Sequence, residues 1–262
     1  MSAGWGASGT LEADGARLEY ACHGPAPAEA PTLVLLHEGL GCTALWRDFP
    51  ARLAAATGFG VFVYSRAGYG QSDPVPLPRP LDYMTREALG LGAVLDGAGI
   101  TRCLLIGHSD GATIAAEYAG RVVDPRLAGL VLIAPHFFTE PGGLAEIARA
   151  REMYETTDLP ARLARYHRDP DNAFRGWNDA WLDPGFRYWN VAEVIDRFTV
   201  PCLALQGTRD QYGSARQVEI VAERSPARAE ALLIEGAQHA PHLERPEETL
   251  TAVAGFCREV LA

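Results

Sequence analysis

Lysine is missing from this sequence: all 23 basic side chains among its 262 residues are arginine. A chain without lysine forms no Schiff base, has no P-loop lysine and offers no catalytic Tyr/Lys pair. Cysteine is scarce. Cys22, Cys42, Cys103, Cys202 and Cys257 are scattered and contain no CxxC pair, which argues against a disulfide framework and a zinc site and suits small buried hydrophobes. No apolar run approaches the length of a membrane crossing. MSAGWGASGTLEADGARLEY lacks the charged and apolar regions of a secretory leader, so the expected compartment is the cytoplasm. There are no internal repeats or low-complexity segments. Positive charge is also short: a net charge of -10 disfavours nucleic acid and anionic membrane as partners.

What is present is a 48% hydrophobic chain with alternating strand-like and helix-like segments. TLEAD and ARLEYACHG suit a hairpin around Asp14 and Gly15, and TLVLLH is the continuous apolar run of a strand covered on both faces. The helix-like WRDFPARLAAAT follows. VFVYS then reads as a strand, a Gly/Pro-rich loop runs to about residue 81, and YMTREALGLGAVLDGAG reads as a helix. CLLIG, LAGLVLIAP, VPCLALQG and AEALLIEG read as further strands, with helices over ATIAAEYAGRVV and EETLTAVAGFCREVL. The spacing predicts an α/β fold with a mostly parallel sheet of about eight strands and helices on both faces. Residues 136–198 differ: they hold Trp177, Trp181 and Trp189 and no strand-like run. They read as a helical insertion into a body formed by residues 1–135 and 199–262, laid across the sheet as a lid over an apolar crevice.

GHSDGA, residues 107–112, lies at the joint between a predicted strand and a predicted helix. Ser109 there is either a helix N-cap or the nucleophile of a G-x-S-x-G elbow, where glycines permit a sharp turn and close packing. In the second case the amide of Asp110, at the helix start, faces an oxyanion on Ser109. A serine nucleophile needs a base and an orienting acid. Asp210 follows the strand VPCLALQG and His239 follows AEALLIEG, both at the sheet edge where open α/β sheets bind ligands.

GHSDG, Asp210, His239, LVLLHEGLG, YSRAGYGQSDP and AQHAPHLERPEE together resemble the α/β-hydrolase superfamily over almost the whole chain. The chain is most similar to small bacterial capped hydrolases: esterases, lactonases and hydrolases of aromatic ring-cleavage products. The resemblance implies the α/β-hydrolase fold, a Ser109, Asp210, His239 triad and no cofactor. Two departures stand out. The usual His-Gly after the third strand is His37-Glu38 here, which moves the second oxyanion amide to Gly39, with Leu40 the alternative. Position 110 is acidic where the superfamily often has methionine, leucine or glutamine. Carboxylates at Glu38 and Asp110 would repel anionic substrates unless their side chains turn away, which favours a neutral ester, lactone or thioester.

The remaining histidines divide by position. His37 and His108 read as structural hydrogen-bonders, His23 and His167 as surface residues, and His136, opening the insertion, as a pocket residue with Trp177 and Trp181. His242 has no assigned chemistry, and His239 with His242 alone lacks the further ligands of a metal site. The same triad would serve a C–C hydrolase of ring-cleavage products, and the same fold a ligand-sensing receptor. The loose G-x-G-x-x-A in HEGLGCTA, with Arg66 after the next strand as a 2′-phosphate partner, raises an NADP-dependent reductase, which the missing lysine opposes. The partner is a small-molecule substrate, and the sequence leaves the oligomeric state open.

Overall fold

The computed structural model describes Trp5 and residues 8–261, so part of the N-terminal stretch read for a leader lies outside the described residues. Eight strands form one sheet: β1 (Ser8–Ala13), β2 (Ala16–His23), β3 (Thr32–Leu36), β4 (Gly60–Tyr64), β5 (Cys103–His108), β6 (Leu127–Ile133), β7 (Cys202–Gly207) and β8 (Ala229–Ile234). Their order is β1-β2-β4-β3-β5-β6-β7-β8. β1 and β2 are joined antiparallel by Asp14 and Gly15, both at positive φ (50° and 75°), as a two-residue hairpin turn requires. β2 meets β4 antiparallel, and every pairing from β4 to β8 is parallel.

The central strands are apolar on both faces because helices cover both. Leu33 and Leu35 of β3 point into a layer with α1 (Phe49–Thr57) and α8 (Pro246–Leu261), whereas Val34 and Leu36 join α2 (Tyr83–Gly97) and α3 (Asp110–Arg121). The stretch WRDFPARLAAAT is split: a 3-10 turn, Thr43–Trp46, precedes α1, and Arg47 at φ 54° breaks the run. A helix absent from the sequence reading, α7 (Arg216–Arg224), joins β7 to β8. All five cysteines are buried. No helix among the described residues is long and apolar enough to cross a membrane.

Between β6 and β7 run α4 (Pro141–Thr156), α5 (Leu159–Leu163), α6 (Pro170–Trp181) and two 3-10 turns, Pro184–Tyr188 and Ala192–Arg197. A single bridge, Phe138 to Asn190, is the β pairing found there among the described residues. Asp169 caps α6 by accepting from the Asn172 amide at 2.9 Å. The aromatic side chains of this segment do not form a separate core: Phe174, Trp177, Trp181 and Phe186 belong to the same buried cluster as the α2/α3 face of the sheet.

Register sets where the functional loops emerge. Leu36 of β3 lies opposite Gly107 of β5, His108 opposite Ile133 of β6, and Gly207 of β7 opposite Ile234 of β8. The loops at 37–41, 109–110, 134–138, 208–213 and 235–240 therefore converge at one edge. α3 is pressed against that edge so tightly that a Cβ on Gly111 would overlap the Leu36 carbonyl oxygen, and one on Gly107 the Gly111 carbonyl oxygen. Gly111→Ala is expected to cost about 2 to 3 kcal/mol of stability through overpacking against backbone; an unchanged urea midpoint would contradict this packing.

Candidate active site

The turn from β5 into α3 holds Ser109 at φ 54° and ψ -119°, outside the regions an L-residue usually occupies. The Ser109 amide donates to the Ile133 carbonyl at 2.9 Å, which fixes the turn against β6. The side chain caps no amide of α3. Its hydroxyl instead lies 2.9 Å from His239 Nε2.

His239 Nδ1 faces both carboxylate oxygens of Asp210, at 2.9 and 2.8 Å. Asp210 also accepts from the Tyr212 amide at 2.8 Å and from Gln206 Nε2 at 3.2 Å. Burial would raise the Asp210 carboxyl, but the hydrogen bond and charge of His239 win and hold it below its ordinary value. The loops of Asp210 and His239 are stitched together by Arg209, whose amide donates to Ala237 at 2.8 Å. Behind His239, His108 Nε2 donates to its carbonyl at 2.7 Å while His108 Nδ1 faces Glu38 at 3.5 Å. Burial opposes a charge on His108, yet Glu38 raises its pKa; His108 in turn overcomes burial to hold Glu38 well below the usual carboxylate range.

The loop after β3 is pinned through one atom. The Glu38 carbonyl accepts from His37 Nδ1 at 2.7 Å, Arg66 Nη2 at 3.0 Å and the Gly41 amide at 3.1 Å. His37 Nε2 accepts from the Arg66 amide at 3.0 Å, so His37 is a neutral hydrogen-bonder, and burial depresses its pKa well below the ordinary value. Among the described residues, the amides of Gly39, Leu40 and Asp110 take no hydrogen-bond partner. Arg66 is 2% exposed and bonded to Glu87 at 2.8 Å, so it is closed to any 2′-phosphate.

The two unexpected carboxylates part company. Asp110 is fully buried; its Oδ2 accepts from the Tyr83 hydroxyl, which itself accepts from Trp181 Nε1 at 3.0 Å. Burial pushes the Asp110 carboxyl up, against the opposing charge of Arg66 and the Tyr83 hydrogen bond. Glu38 keeps 29% of its side-chain surface and lines the same cavity as Ser109 and His239. That cavity, about 430 Å³ including the solvent at its mouth, is also lined by Gly39, His136, Trp177 and Trp181. Leu40, Ile147 and Tyr212 line it too, and the sequence reading did not assign them to the pocket. Tyr212, two residues past Asp210, had a positional signal; Ile147 on α4 had none.

His167 is not a surface residue. It is 2% exposed, accepts from the Gly70 amide at 3.0 Å and donates through Nε2 to the Leu40 carbonyl at 3.1 Å. Its polar neighbours in YHRDP concealed a contact with a loop 127 residues away. His23 is half-buried on β2, and His242 is buried against Trp46 and Phe49, at 4.9 and 5.5 Å between ring centroids. Among the described residues no group of His, Cys, Asp or Glu could hold a metal ion.

With the sheet order and this edge established, the model of the Alpha/beta hydrolase family matches residues 33–252, and the chain belongs to that family. Over 241 residues, 84% of this chain and 90% of the relative, it is 28% identical to a protein of Pseudomonas savastanoi pv. phaseolicola provisionally named carbamate hydrolase RutD. A thermophilic esterase from Thermogutta terrifontis superposes with a TM-score of 0.76 at 18% identity, over 97% of this chain and 99% of the other. The enol-lactonase of Burkholderia xenovorans LB400 does so with a TM-score of 0.73 at 22% identity, over 95% and 99%. At these identities the two structures share the fold.

His136 stacks on His239 with ring centroids 5.5 Å apart, and burial followed by the charge of His239 pushes its pKa from 6.5 down to about 3. Between these values the unfolded chain binds a proton that the folded chain refuses. The stability tied to His136 is therefore complete above its ordinary pKa of 6.5 and is lost as pH falls towards 3. The slope is at most about 1.4 kcal/mol per pH unit. His136→Gln is expected to lose urea stability less steeply than wild type from about pH 7 to about pH 5; parallel curves would rule out a buried neutral imidazole here.

Proposed function

We propose that the protein is a serine hydrolase that cleaves a small carboxylic ester, lactone or thioester bearing no negative charge, by way of an acyl-enzyme. The observation that carries the reading is the continuous line from Ser109 Oγ to His239 Nε2, 2.9 Å, and from His239 Nδ1 to Asp210, 2.8 Å. Ser109 attacks the carbonyl carbon while His239 removes its proton, and Asp210 holds the imidazole in the tautomer with Nε2 free to accept. The amides of Gly39 and Asp110 take the oxyanion, each donor contributing roughly 3 kcal/mol to lowering the barrier. His239 returns the proton to the leaving oxygen or sulfur. Water, deprotonated by His239 in turn, then releases the acid. The unpaired amides, the strained backbone of Ser109 and its lack of a capping role support this assignment over that of a helix cap.

Residues 1–135 and 199–262 serve as the catalytic body and residues 136–198 as a lid. The supporting observation is that Trp177 and Trp181, from α6, line the same cavity as Ser109. The substrate is a small molecule, and the buried thiols of Cys42, Cys103, Cys202 and Cys257 agree with the reducing cytoplasm. The similarity to proteins named carbamate hydrolases favours a second substrate reading, a carbamate, which presents the same carbonyl to the same serine.

The test is a panel of p-nitrophenyl esters, lactones, thioesters and carbamates against wild type and Ser109→Ala. The variant is expected to melt as wild type does and to lose at least about 10⁴-fold in kcat. Turnover that survives the substitution, or a wild type inert to the whole panel, would sink the assignment.

A further inference from the structure

The charge of the cavity wall is one-sided. The charged side chains lining it are Glu38 and Asp110, with no arginine among the lining residues, and the chain has no lysine to supply an ammonium from elsewhere. Asp110 is engaged by Tyr83 and has no exposed surface, so Glu38 is the carboxylate an occupant of the cavity meets. Its one ion-pair partner among the described residues, His108, is 3% exposed and does not line the cavity. The Glu38–His108 pair therefore has its acidic member in the cavity lining and its imidazole behind, against the His239 carbonyl. The same cavity is lined by the aromatic side chains of Trp177, Trp181 and Tyr212, and the face of an aromatic ring carries the negative end of a quadrupole. Of the other polar lining, Ser109 and His239 belong to the proposed triad, and His136 is uncharged, its ring making no hydrogen bond among the described residues.

We propose that the substrate of this site carries a positively charged nitrogen, seated against the Glu38 carboxylate and the rings of Trp177, Trp181 and Tyr212. The proposal rests on the reading of the site as a serine hydrolase and narrows it. Excluding anions leaves neutral and cationic substrates, and a carboxylate sharing a cavity wall with aromatic side chains discriminates between those two. Glu38 is then a specificity-determining residue, placed next to the proposed oxyanion amide of Gly39 by its position in the chain.

Two matched pairs test it. The esters are 2-(dimethylamino)ethyl acetate and 3-methylbutyl acetate, of equal shape, the first protonated near neutral pH. Wild type is expected to favour the ammonium ester by at least about tenfold in kcat/KM, mainly through KM. The preference should collapse towards parity in Glu38→Gln and shrink in Trp177→Leu; intrinsic reactivity cancels when ratios are compared between proteins. The second pair, N-[2-(dimethylamino)ethyl]acetamide and N-(3-methylbutyl)acetamide, is titrated calorimetrically into wild type and needs no turnover. Tighter binding of the ammonium amide supports the proposal even if no ester is cleaved, a result that would overturn the hydrolase reading alone. Parity of either pair in wild type, or an ester ratio unchanged by Glu38→Gln, overturns the proposal while leaving the triad standing.

Discussion

At the start of α3 the backbone of Gly111 packs against the carbonyls of Leu36 and His37, and that of Gly107 against Gly111 and Ala112, with no room for a methyl group at either. That contact brings the end of β3 beside the turn after β5, and so sets the loop of Gly39 beside Ser109. Backbone carbonyls on one side and the unpaired amides of Gly39 and Asp110 on the other give the turn its polarity. Ser109, held at a positive φ between them, has no freedom to relax into an ordinary helix cap. The parallel register then supplies the rest, because every other functional loop leaves the sheet at the same edge.

Much of this was legible from residue order. Continuous apolar runs located the central strands, since a buried strand of a parallel sheet leaves no polar alternation, and the glycines of GHSDG marked the close approach. Asp210 and His239 were legible because each follows a strand end. What the sequence concealed was pairing between distant side chains. Nothing near Asp110 announces Tyr83, 27 positions away, and nothing in YHRDP announces that His167 reaches Leu40. The two acidic residues at the predicted site, Glu38 and Asp110, looked alike in the sequence. Burial separated them, giving Asp110 a hydroxyl partner within the core and leaving Glu38 at the cavity.

Beneath the site lies a set of buried charges. Arg66 and Arg79 share the carboxylate of Glu87, at 2.8 and 2.5 Å, and both guanidinium groups lie over Tyr69, at 4.6 and 5.0 Å from its ring centroid. Such a cluster is weak evidence for stability, since desolvation offsets the attraction. Its contribution is geometric. A guanidinium donates in several directions from one plane, so Arg66 bonds Glu87 with one nitrogen and the Glu38 carbonyl with another. An ammonium offers no such planar fork.

The segment between β6 and β7 touches the Gly39 loop in two places, through His167 at the Leu40 carbonyl and through Trp177, whose indole fills the space a Cβ on Gly39 would need. If this segment is the proposed lid, it is not a detachable part. A foreign segment grafted between β6 and β7 would arrive without the indole and imidazole that brace the loop beside the serine. Substrate range and rate would therefore change together, and in descent Trp177 and Gly39 would drift as a pair.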